Sequence, residues 1–261
     1  MTYENIIISI DEGIATVAIN RPRSFNILDA KTLEELYACF RNDISHNEAV
    51  KAVILTGKGE KAFCGGADIK AMKGMDVFQA TDFSQEGQRV MDAIEDAPKP
   101  VIAAVNGYAL GGGFELALAC DLIIASENAQ FAASEINVGI TTGWGCSKRL
   151  PEAIGAARAK ELLFTGAMID APTALRLGIV NRVVPADRLN EETIALARQL
   201  AGKAVIALAL VKKAVNHSRH LDREKAALIE SEVFGACFAT VDQKEGMTAF
   251  EEKRKPVFIG K

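Results

Sequence analysis

The chain has 261 residues, of which 49% are hydrophobic and 25% are charged, a balance typical of a globular protein with a substantial core. Its net charge is −4, its pI is about 5.6, and no basic stripe occurs in the sequence, so general binding to DNA or RNA is not expected. No apolar run reaches the roughly 18 residues that span a bilayer, and the first residues lack the basic and apolar segments of a signal peptide.

Cysteine and histidine positions do not indicate a metal or disulfide centre. The five cysteines are odd in number and contain no C-x-x-C pair, so neither a disulfide framework nor a zinc site is predicted. His217 and His220 are three residues apart on a predicted helix and could in principle hold a metal, but an exposed helix face is the favoured interpretation. We expect no metal and no redox cofactor, and the unpaired cysteines favour the reducing cytoplasm.

The first hundred residues predict alternating strands and helices. β-rich runs on either side of Asp11-Glu12-Gly13 indicate a hairpin, and Asp29 is placed to cap a helix with an apolar stripe. In chain order the predicted elements are strands at 6–10 and 14–19, the capped helix with Leu33, Leu36, Tyr37 and Phe40, a strand at 50–56, a glycine loop at 65–66, and a helix with Val90, Met91 and Ile94 on one face.

The rest of the chain changes character at Pro185. Before it, the pattern predicts strands at 101–105, 122–125, 130–133 and 180–184, with a turn at 106–107 and a helix at 114–120. After it, helices are predicted at 189–201, 205–217, 222–240 and 246–255. The predicted fold class is therefore α/β (α+β), with a mixed core over residues 1–190 and a helical region over residues 191–261.

Gly65 and Gly66 lie in a loop that follows a predicted strand. Glycines let a backbone come close to a ligand, so this loop could present an N–H group to a ligand oxygen. For the two glycines alone, a tight turn without function is the favoured interpretation. Cys64 in the same segment is not expected to be a nucleophile, because no histidine lies nearby in sequence to activate it.

Three glycines, Gly111 to Gly113, precede a predicted helix and Glu115. The segment matches neither G-x-G-x-x-G nor G-x-x-x-x-G-K-[ST], so a nucleotide-phosphate loop is not indicated. Free N–H groups and the positive end of the helix dipole favour an oxyanion here. Glu115 either takes part in chemistry or complements the helix start, and its position alone leaves both interpretations open.

Glu135 follows twenty residues later, beside Gly139. By itself it is more readily explained as a surface or hydrogen-bonding residue. A carboxylate pair in one cleft, however, can act as acid and base on the same substrate. With glycine-rich backbone beside both, Glu115 and Glu135 suggest proton transfer next to a carbonyl whose negative charge is held by main-chain amides.

In combination, these segments resemble the crotonase superfamily, the enoyl-CoA hydratase/isomerase family. The resemblance covers almost the whole chain, and four segments carry it: Asn20-Arg21-Pro22 with Asn26, Ala62 to Lys70, Pro98 to Asp121, and Glu245 to Pro256. It implies a spiral of β-β-α units followed by helices that build trimers, often paired into hexamers. It also implies an acyl-CoA thioester as substrate, so that coenzyme A is part of the substrate and not a separate cofactor.

The resemblance also implies roles for individual residues. The amides of Ala67 and Gly112 would form an oxyanion hole for the thioester carbonyl. The segment Ala67-Asp68-Ile69-Lys70 would line the CoA site, and Phe250 and Lys253 match positions that reach CoA bound to a neighbouring subunit.

Hydratases of the family carry acids at both positions that Glu115 and Glu135 occupy here, which favours an enoyl-CoA hydratase of fatty-acid metabolism such as β-oxidation. Glu115 would orient and activate water, and Glu135 would protonate C2. Two alternatives stay open: another acyl-CoA reaction, such as double-bond isomerisation or hydration of an unusual acyl group, and a non-catalytic or RNA-associated member.

One stretch departs from the family pattern. Where hydratases have a P-G-x-G-G-T-Q-R-L-like run, this chain has Thr141 to Leu150, without the proline and with the bulky Trp144. Ser134 also replaces the usual proline before the second glutamate. The departure is either drift in a structural loop or an altered acyl pocket, in which Trp144 would shorten the pocket or stack on an unsaturated acyl group.

Overall fold

Apolar strands of the first 184 residues form two β-sheets. The computed structural model describes residues 3–219 and 221–261, so the interpretation of His220 lies outside the described residues. The strands are β1 (Ile6–Asp11), β2 (Ile14–Ile19), β3 (Ala52–Gly57), β4 (Ala62–Cys64), β5 (Val101–Val105), β6 (Tyr108–Leu110), β7 (Leu122–Ser126), β8 (Gln130–Ala132), β9 (Ile169–Asp170) and β10 (Arg182–Val184).

Helices cover both sheets and continue to Glu251. They are α1 (Ala30–Ala38), α2 (Ile69–Met72), α3 (Val77–Glu95), α4 (Gly112–Leu118), α5 (Cys146–Ile154), α6 (Ala156–Thr165), α7 (Ala171–Leu177), α8 (Leu189–Ala201), α9 (Val205–Ser218), α10 (Arg223–Cys237) and α11 (Val241–Glu251). No single helix among the described residues is long and apolar enough to cross a membrane; the segments Ala186–Ala201 and Val205–Ser218 meet that test only as a pair, across a bend of 102°.

The two sheets grow together as the chain spirals. The six-stranded sheet has the order β1-β2-β3-β5-β7-β10, and the four-stranded sheet has the order β4-β6-β8-β9. Successive strand pairs β3/β4, β5/β6 and β7/β8 each add one strand to each sheet before a helix follows, and the pairings among these six strands are parallel. The spiral of β-β-α units, the α/β fold class and the C-terminal helices are thereby confirmed.

Some element boundaries differ from the predicted ones. The short strands β4 and β6 are not among the predicted elements, because three residues carry no periodic signal; β4 lies just before the predicted glycine loop at 65–66, and β6 lies just after the predicted turn at 106–107. The last helix begins at Val241 instead of 246, since Thr240 accepts a hydrogen bond from the Gln243 amide and caps it there. It ends before Lys253, whose φ of 55° leaves the helical region.

The central strands β3, β5 and β7 of the six-stranded sheet are buried on both faces, as expected for parallel strands covered by helices. Side chains on one face join the main core with α1 and α3, among them Val53 and Leu55. The opposite face, with Ile54 and Ile102, packs against Leu196 and its neighbours on α8. The predicted boundary between a core over 1–190 and a helical region over 191–261 stays a prediction.

Asn26, in the early segment that carries part of the resemblance, joins three stretches of backbone. Its side chain is 1% exposed, accepts a hydrogen bond from the Arg21 amide and donates to the carbonyls of Lys58 and Ala62. It thereby fixes the turn between β3 and β4 against the stretch before α1. The glycine loop after β4 starts from this fixed point.

Helix α4 lies so close to β4 that Gly113 has no room for a side chain. A Cβ atom at this position would overlap the backbone carbonyl of Cys64. We expect Gly113→Ala to destabilise the protein by about 1–3 kcal/mol, the usual cost of overpacking a core.

The matched control is Gly235→Ala in α10, where a Cβ atom would meet nothing within 4 Å. Because alanine favours a helix, this change should stabilise the protein by up to about 1 kcal/mol. Urea unfolding followed by circular dichroism measures both variants. Equal shifts of the two midpoints would contradict the packing argument.

Candidate active site

One cavity is lined by the ends of several β-β-α units. Its volume is about 490 Å³, and its walls come from the loop after β4, helix α3, the start of α4, the turn at Glu135 and the loop before α5. The cavity brings together Ala67, Gly112, Glu115, Glu135 and Trp144, the central residues of the predicted site.

The Ala67 amide faces the cavity because the opposite side of this stretch pairs with Leu28. The Leu28 N–H donates to the Gly66 carbonyl at 2.8 Å, and the Asp68 N–H donates to the Leu28 carbonyl at 3.2 Å. In such a parallel bridge the N–H of the central residue points away from the partner. Across the described part of the chain, no hydrogen bond uses the Ala67 amide, so it is a free donor on the cavity wall.

Gly112 supplies a second free donor on the same wall. It is the first residue of α4, and helix N–H groups at that position have no partner within the helix. Gly111 makes the turn into the helix with a φ of 51°, which favours glycine. Gly66 lies close to this helix start, because a Cβ atom on Gly66 would be only 3.3 Å from the Gly112 nitrogen. The two glycine segments therefore pack backbone to backbone.

Glu115 is a buried carboxylate held by a loop. Its residue is 2% exposed, and its Oε1 accepts hydrogen bonds from the Trp144 amide at 2.8 Å and the Cys146 amide at 2.9 Å. Burial raises the pKa of Glu115, while the two amides and the nearby Arg149 charge oppose that rise. Both amides bind Oε1, so Oε2 is the oxygen left for a ligand.

Glu135 lies opposite, in a 3-10 turn over Glu135–Val138. Its Oε2 is buried without a hydrogen-bond partner among the described residues, as is Thr142 Oγ1 on the same cavity. Burial first, and then the Glu115 charge, raise the pKa of Glu135 to about 7. Two acids that interact in this way titrate as a pair, so near neutral pH they can share one proton.

Trp144 forms the inner wall of the cavity. The residue is 3% exposed, and its ring packs on Phe83 of α3 with centroids 5.4 Å apart. The ring fits between two glycines, since a Cβ atom at either Gly87 or Gly112 would overlap it. Trp144 lines the same cavity as Glu115 and Glu135, and its predicted role in an acyl pocket stays a prediction.

Other predicted residues lie at the edge of the site or away from it. Ile69 lines the cavity and is 52% exposed, whereas the Asp68 side chain caps α2 by accepting from the Lys70 and Ala71 amides. Phe250 and Lys253 do not line the cavity of their own chain, and Phe250 is 85% exposed. Their contact with a neighbouring subunit's ligand stays a prediction.

Cys64 is fully buried in β4 and does not line the cavity. Burial raises the pKa of its thiol to about 12, which disfavours the thiolate. This agrees with the expectation that it is no nucleophile.

The sequence did not reveal what holds Glu115. The two loop amides and the buried Arg149 behind them have no motif of their own, and the Trp144–Cys146 stretch departs from the family pattern. The one available signal was the basic residue Arg149 next to the apolar Leu150 in Lys148-Arg149-Leu150, a segment that could equally have been a solvated helix face.

Comparison with known proteins gives the class to which this arrangement belongs. The enoyl-CoA hydratase/isomerase family profile matches residues 9–261. A crotonyl-CoA hydratase of Syntrophomonas wolfei is 46% identical with full coverage of both chains. A short-chain-enoyl-CoA hydratase of Clostridium acetobutylicum is 45% identical over 98% of this chain and 97% of its own.

Solved structures agree with the sequence matches. The crystal structure of an enoyl-CoA hydratase from Bacillus anthracis superposes with a TM-score of 0.95 at 39% identity, covering 99% of this chain and 100% of the other. A second structure, from Geobacillus kaustophilus, has a TM-score of 0.94 at 42% identity and 99% coverage of both chains. The chain belongs to the enoyl-CoA hydratase/isomerase family, and the predicted resemblance is confirmed.

The electrostatic effect of Glu115 on Glu135 predicts a measurable coupling between the two acids. In Glu115→Gln the negative charge that helps to raise the pKa of Glu135 is absent, while burial persists. We therefore expect the pKa of Glu135 to fall below the value of about 7 but to stay above that of a solvated glutamate. Carboxyl carbon NMR of labelled glutamate measures it; an unchanged or higher value would show that the acids do not interact.

Proposed function

We propose that this protein is an enoyl-CoA hydratase, a hydro-lyase that adds water in a syn manner across the 2,3 double bond of a 2-enoyl-CoA thioester to give a 3-hydroxyacyl-CoA. The observation that carries the proposal is the pair of acids in one cavity, with Glu115 held at one oxygen by two amides and Glu135 carrying an unpartnered oxygen. Free amides at Ala67 and Gly112 complete the arrangement.

The two amides would act on the thioester carbonyl. When water adds to C3 of a conjugated thioester, negative charge collects on the thioester oxygen. Preorganised N–H donors stabilise that charge, and removal of one such donor typically costs on the order of 10²–10³ in rate. Because the amides of Ala67 and Gly112 are fixed by the Leu28 bridge and by the start of α4, they need little reorganisation during the reaction.

The two carboxylates divide the remaining work. Glu115, free at Oε2, takes a proton from water as the water oxygen bonds to C3. Glu135, whose pKa is raised to about 7, carries the proton that is delivered to C2. The hydroxyl and the new hydrogen therefore enter from the same side, and a later proton exchange with solvent returns Glu115 to its ionised form and Glu135 to its protonated form.

The acyl group we propose is short. The relatives quoted above are named for crotonyl-CoA and for short-chain enoyl-CoA, and the ring of Trp144 closes the inner wall of the cavity between Gly87 and Gly112. No separate cofactor is needed, because coenzyme A is part of the substrate.

We also propose a homo-oligomer, a trimer or a dimer of trimers, in the cytoplasm and without nucleic-acid or membrane partners. Support for assembly comes from large apolar side chains on the C-terminal helices, where Leu228 is 63% exposed, Phe234 is 66% exposed and Phe250 is 85% exposed. Water contact with so much apolar surface is unfavourable, so a second copy that covers it stabilises the assembly.

Neutral substitutions of the acids test the reaction. Glu115→Gln and Glu135→Gln keep the shape of each side chain but remove its proton transfer, so each should lower kcat for crotonyl-CoA hydration by about 10²–10⁴-fold. Affinity for a CoA ligand should persist, measured by calorimetry. Glu127→Gln, an exposed glutamate outside the cavity, is the control.

Near-normal turnover in both variants would contradict the assignment. Incubation of the wild-type protein with a 3-enoyl-CoA provides a second check, because rapid formation of the conjugated product without hydration would favour an isomerase.

Trp144 predicts the chain-length profile. We expect kcat/KM of the wild type to be highest for C4 and to fall towards C16. Trp144→Leu should raise kcat/KM for C8 and longer chains relative to C4 by about tenfold or more, a change typical of added room in an apolar pocket. Trp144→Phe keeps an aromatic wall and should shift the ratio less. A flat wild-type profile would show that Trp144 does not limit the pocket.

A further inference from the structure

Arg149, a residue that does not line the cavity, is a buried cation behind it. Its side chain is 5% exposed and projects from α5 towards α3. Both Nε and Nη2 donate to Glu95 Oε2, and Nη2 also donates to Asp92 Oδ1 at 3.1 Å. A guanidinium fixed by two carboxylates in this way has little freedom to move.

The remaining nitrogen of Arg149 reaches the loop that holds Glu115. Nη1 donates to the Trp144 carbonyl at 3.1 Å, and that carbonyl lies between the Trp144 and Cys146 amides that bind Glu115 Oε1. A continuous set of hydrogen bonds therefore runs from α3 through Arg149 and the loop to the carboxylate.

Gly145 keeps this connection short. Its φ is 110°, and a Cβ atom there would overlap Nη1 of Arg149. Any other residue would push the loop away from the guanidinium and move both amides. The conformation of the loop and the position of Arg149 depend on each other.

A second arginine secures Glu95 from the opposite side. Nη1 of Arg219, just beyond the end of α9, lies 3.6 Å from Glu95 Oε1 and 2.9 Å from Glu152 Oε2. The anchor of Arg149 is thus tied to the C-terminal helices as well as to α3. The pKa of Glu95 agrees with this arrangement. Burial raises it, but the charge and hydrogen bonds of Arg149, together with the charges of Lys148 and Arg219, hold the pKa of Glu95 below its usual value.

We propose that Arg149 is a positioning residue for hydration: it fixes the Trp144–Cys146 loop so that the two amides hold Glu115 in its ionised, water-binding orientation. The proposal rests on the hydratase function above. Three titratable or charged groups face Glu115: Glu135 from the 3-10 turn, the Cys146 thiol from α5, and Arg149. Of these three, Arg149 carries the positive charge.

The sign of the pH effect follows from these contacts. Arg149 and the loop amides lower the pKa of Glu115 against the burial that raises it. Without Arg149, the pKa of Glu115 should rise, so a higher pH is needed to ionise it. The acidic limb of the kcat profile should therefore move to higher pH.

The experiment compares Arg149→Met and Arg149→Lys with the wild type and with Arg158→Met, which replaces an exposed arginine of α6. Crotonyl-CoA hydration is measured from about pH 5 to pH 10 with thermal unfolding recorded for each protein. We expect kcat of Arg149→Met to fall by about 10- to 100-fold, as for small displacements of catalytic groups, with KM within about twofold. Arg149→Lys keeps the charge but not the forked geometry, so it should lose less.

Gly145→Ala disturbs the same connection from the loop side and serves where Arg149→Met does not fold. It should reproduce the loss of kcat and the shift of the acidic limb. A folded Arg149→Met with wild-type kcat and pH profile, or with a change in KM alone, would overturn the positioning role.

Failure of this proposal is distinct from failure of the hydratase function. If the wild type does not hydrate crotonyl-CoA, the proposed function is wrong. If the wild type hydrates crotonyl-CoA and the Arg149 variants do so equally well, only the role of Arg149 is contradicted. Carboxyl carbon NMR of the unliganded proteins measures the titration of the Glu115 and Glu135 pair without turnover. There the first apparent pKa should be higher in Arg149→Met than in the wild type, and an unchanged titration would overturn the proposal.

Discussion

The burial of the Glu115 carboxylate is the constraint on which the rest of the site depends. A carboxylate withdrawn from water loses strong hydration and becomes costly unless hydrogen bonds replace it. Here the replacements are two backbone amides of one loop, and their direction is set by a glycine and a buried guanidinium. The guanidinium in turn needs carboxylates on α3. The burial of one acid therefore dictates residues over a large part of the fold.

A second constraint is the contact of backbone with backbone. The free amides of Ala67 and Gly112 reach the same wall only because glycines at 66 and 113 let the two segments approach each other without side chains between them. Strands β4 and β6 are therefore more than connections, since their ends place the two donors. The four-stranded sheet positions the two donors on the cavity wall, whereas the six-stranded sheet organises the core.

The sequence predicted the parts whose signals are local. Strand β5 is apolar throughout, Asp29 caps α1 as expected, and the glycines at 65–66 and 111–112 marked the cavity. Arg149 could not be predicted in the same way, because its meaning depends on Glu95, which is far away in sequence. The direction of the Ala67 amide was equally hidden, since a bridge to distant Leu28 sets it, and a three-residue strand such as β4 carries no periodicity.

The fit of the Trp144 ring between Gly87 and Gly112 has an evolutionary consequence. A larger residue fits at Gly87 or Gly112 only after Trp144 has been replaced by a smaller side chain. That smaller side chain in turn leaves a destabilising cavity until one of the glycines is replaced. Substitutions at the three positions are therefore epistatic, and their order matters. A lineage that widens this cavity must begin at Trp144 and pass through a less stable intermediate, whereas mutation of Gly87 first ends in a clash.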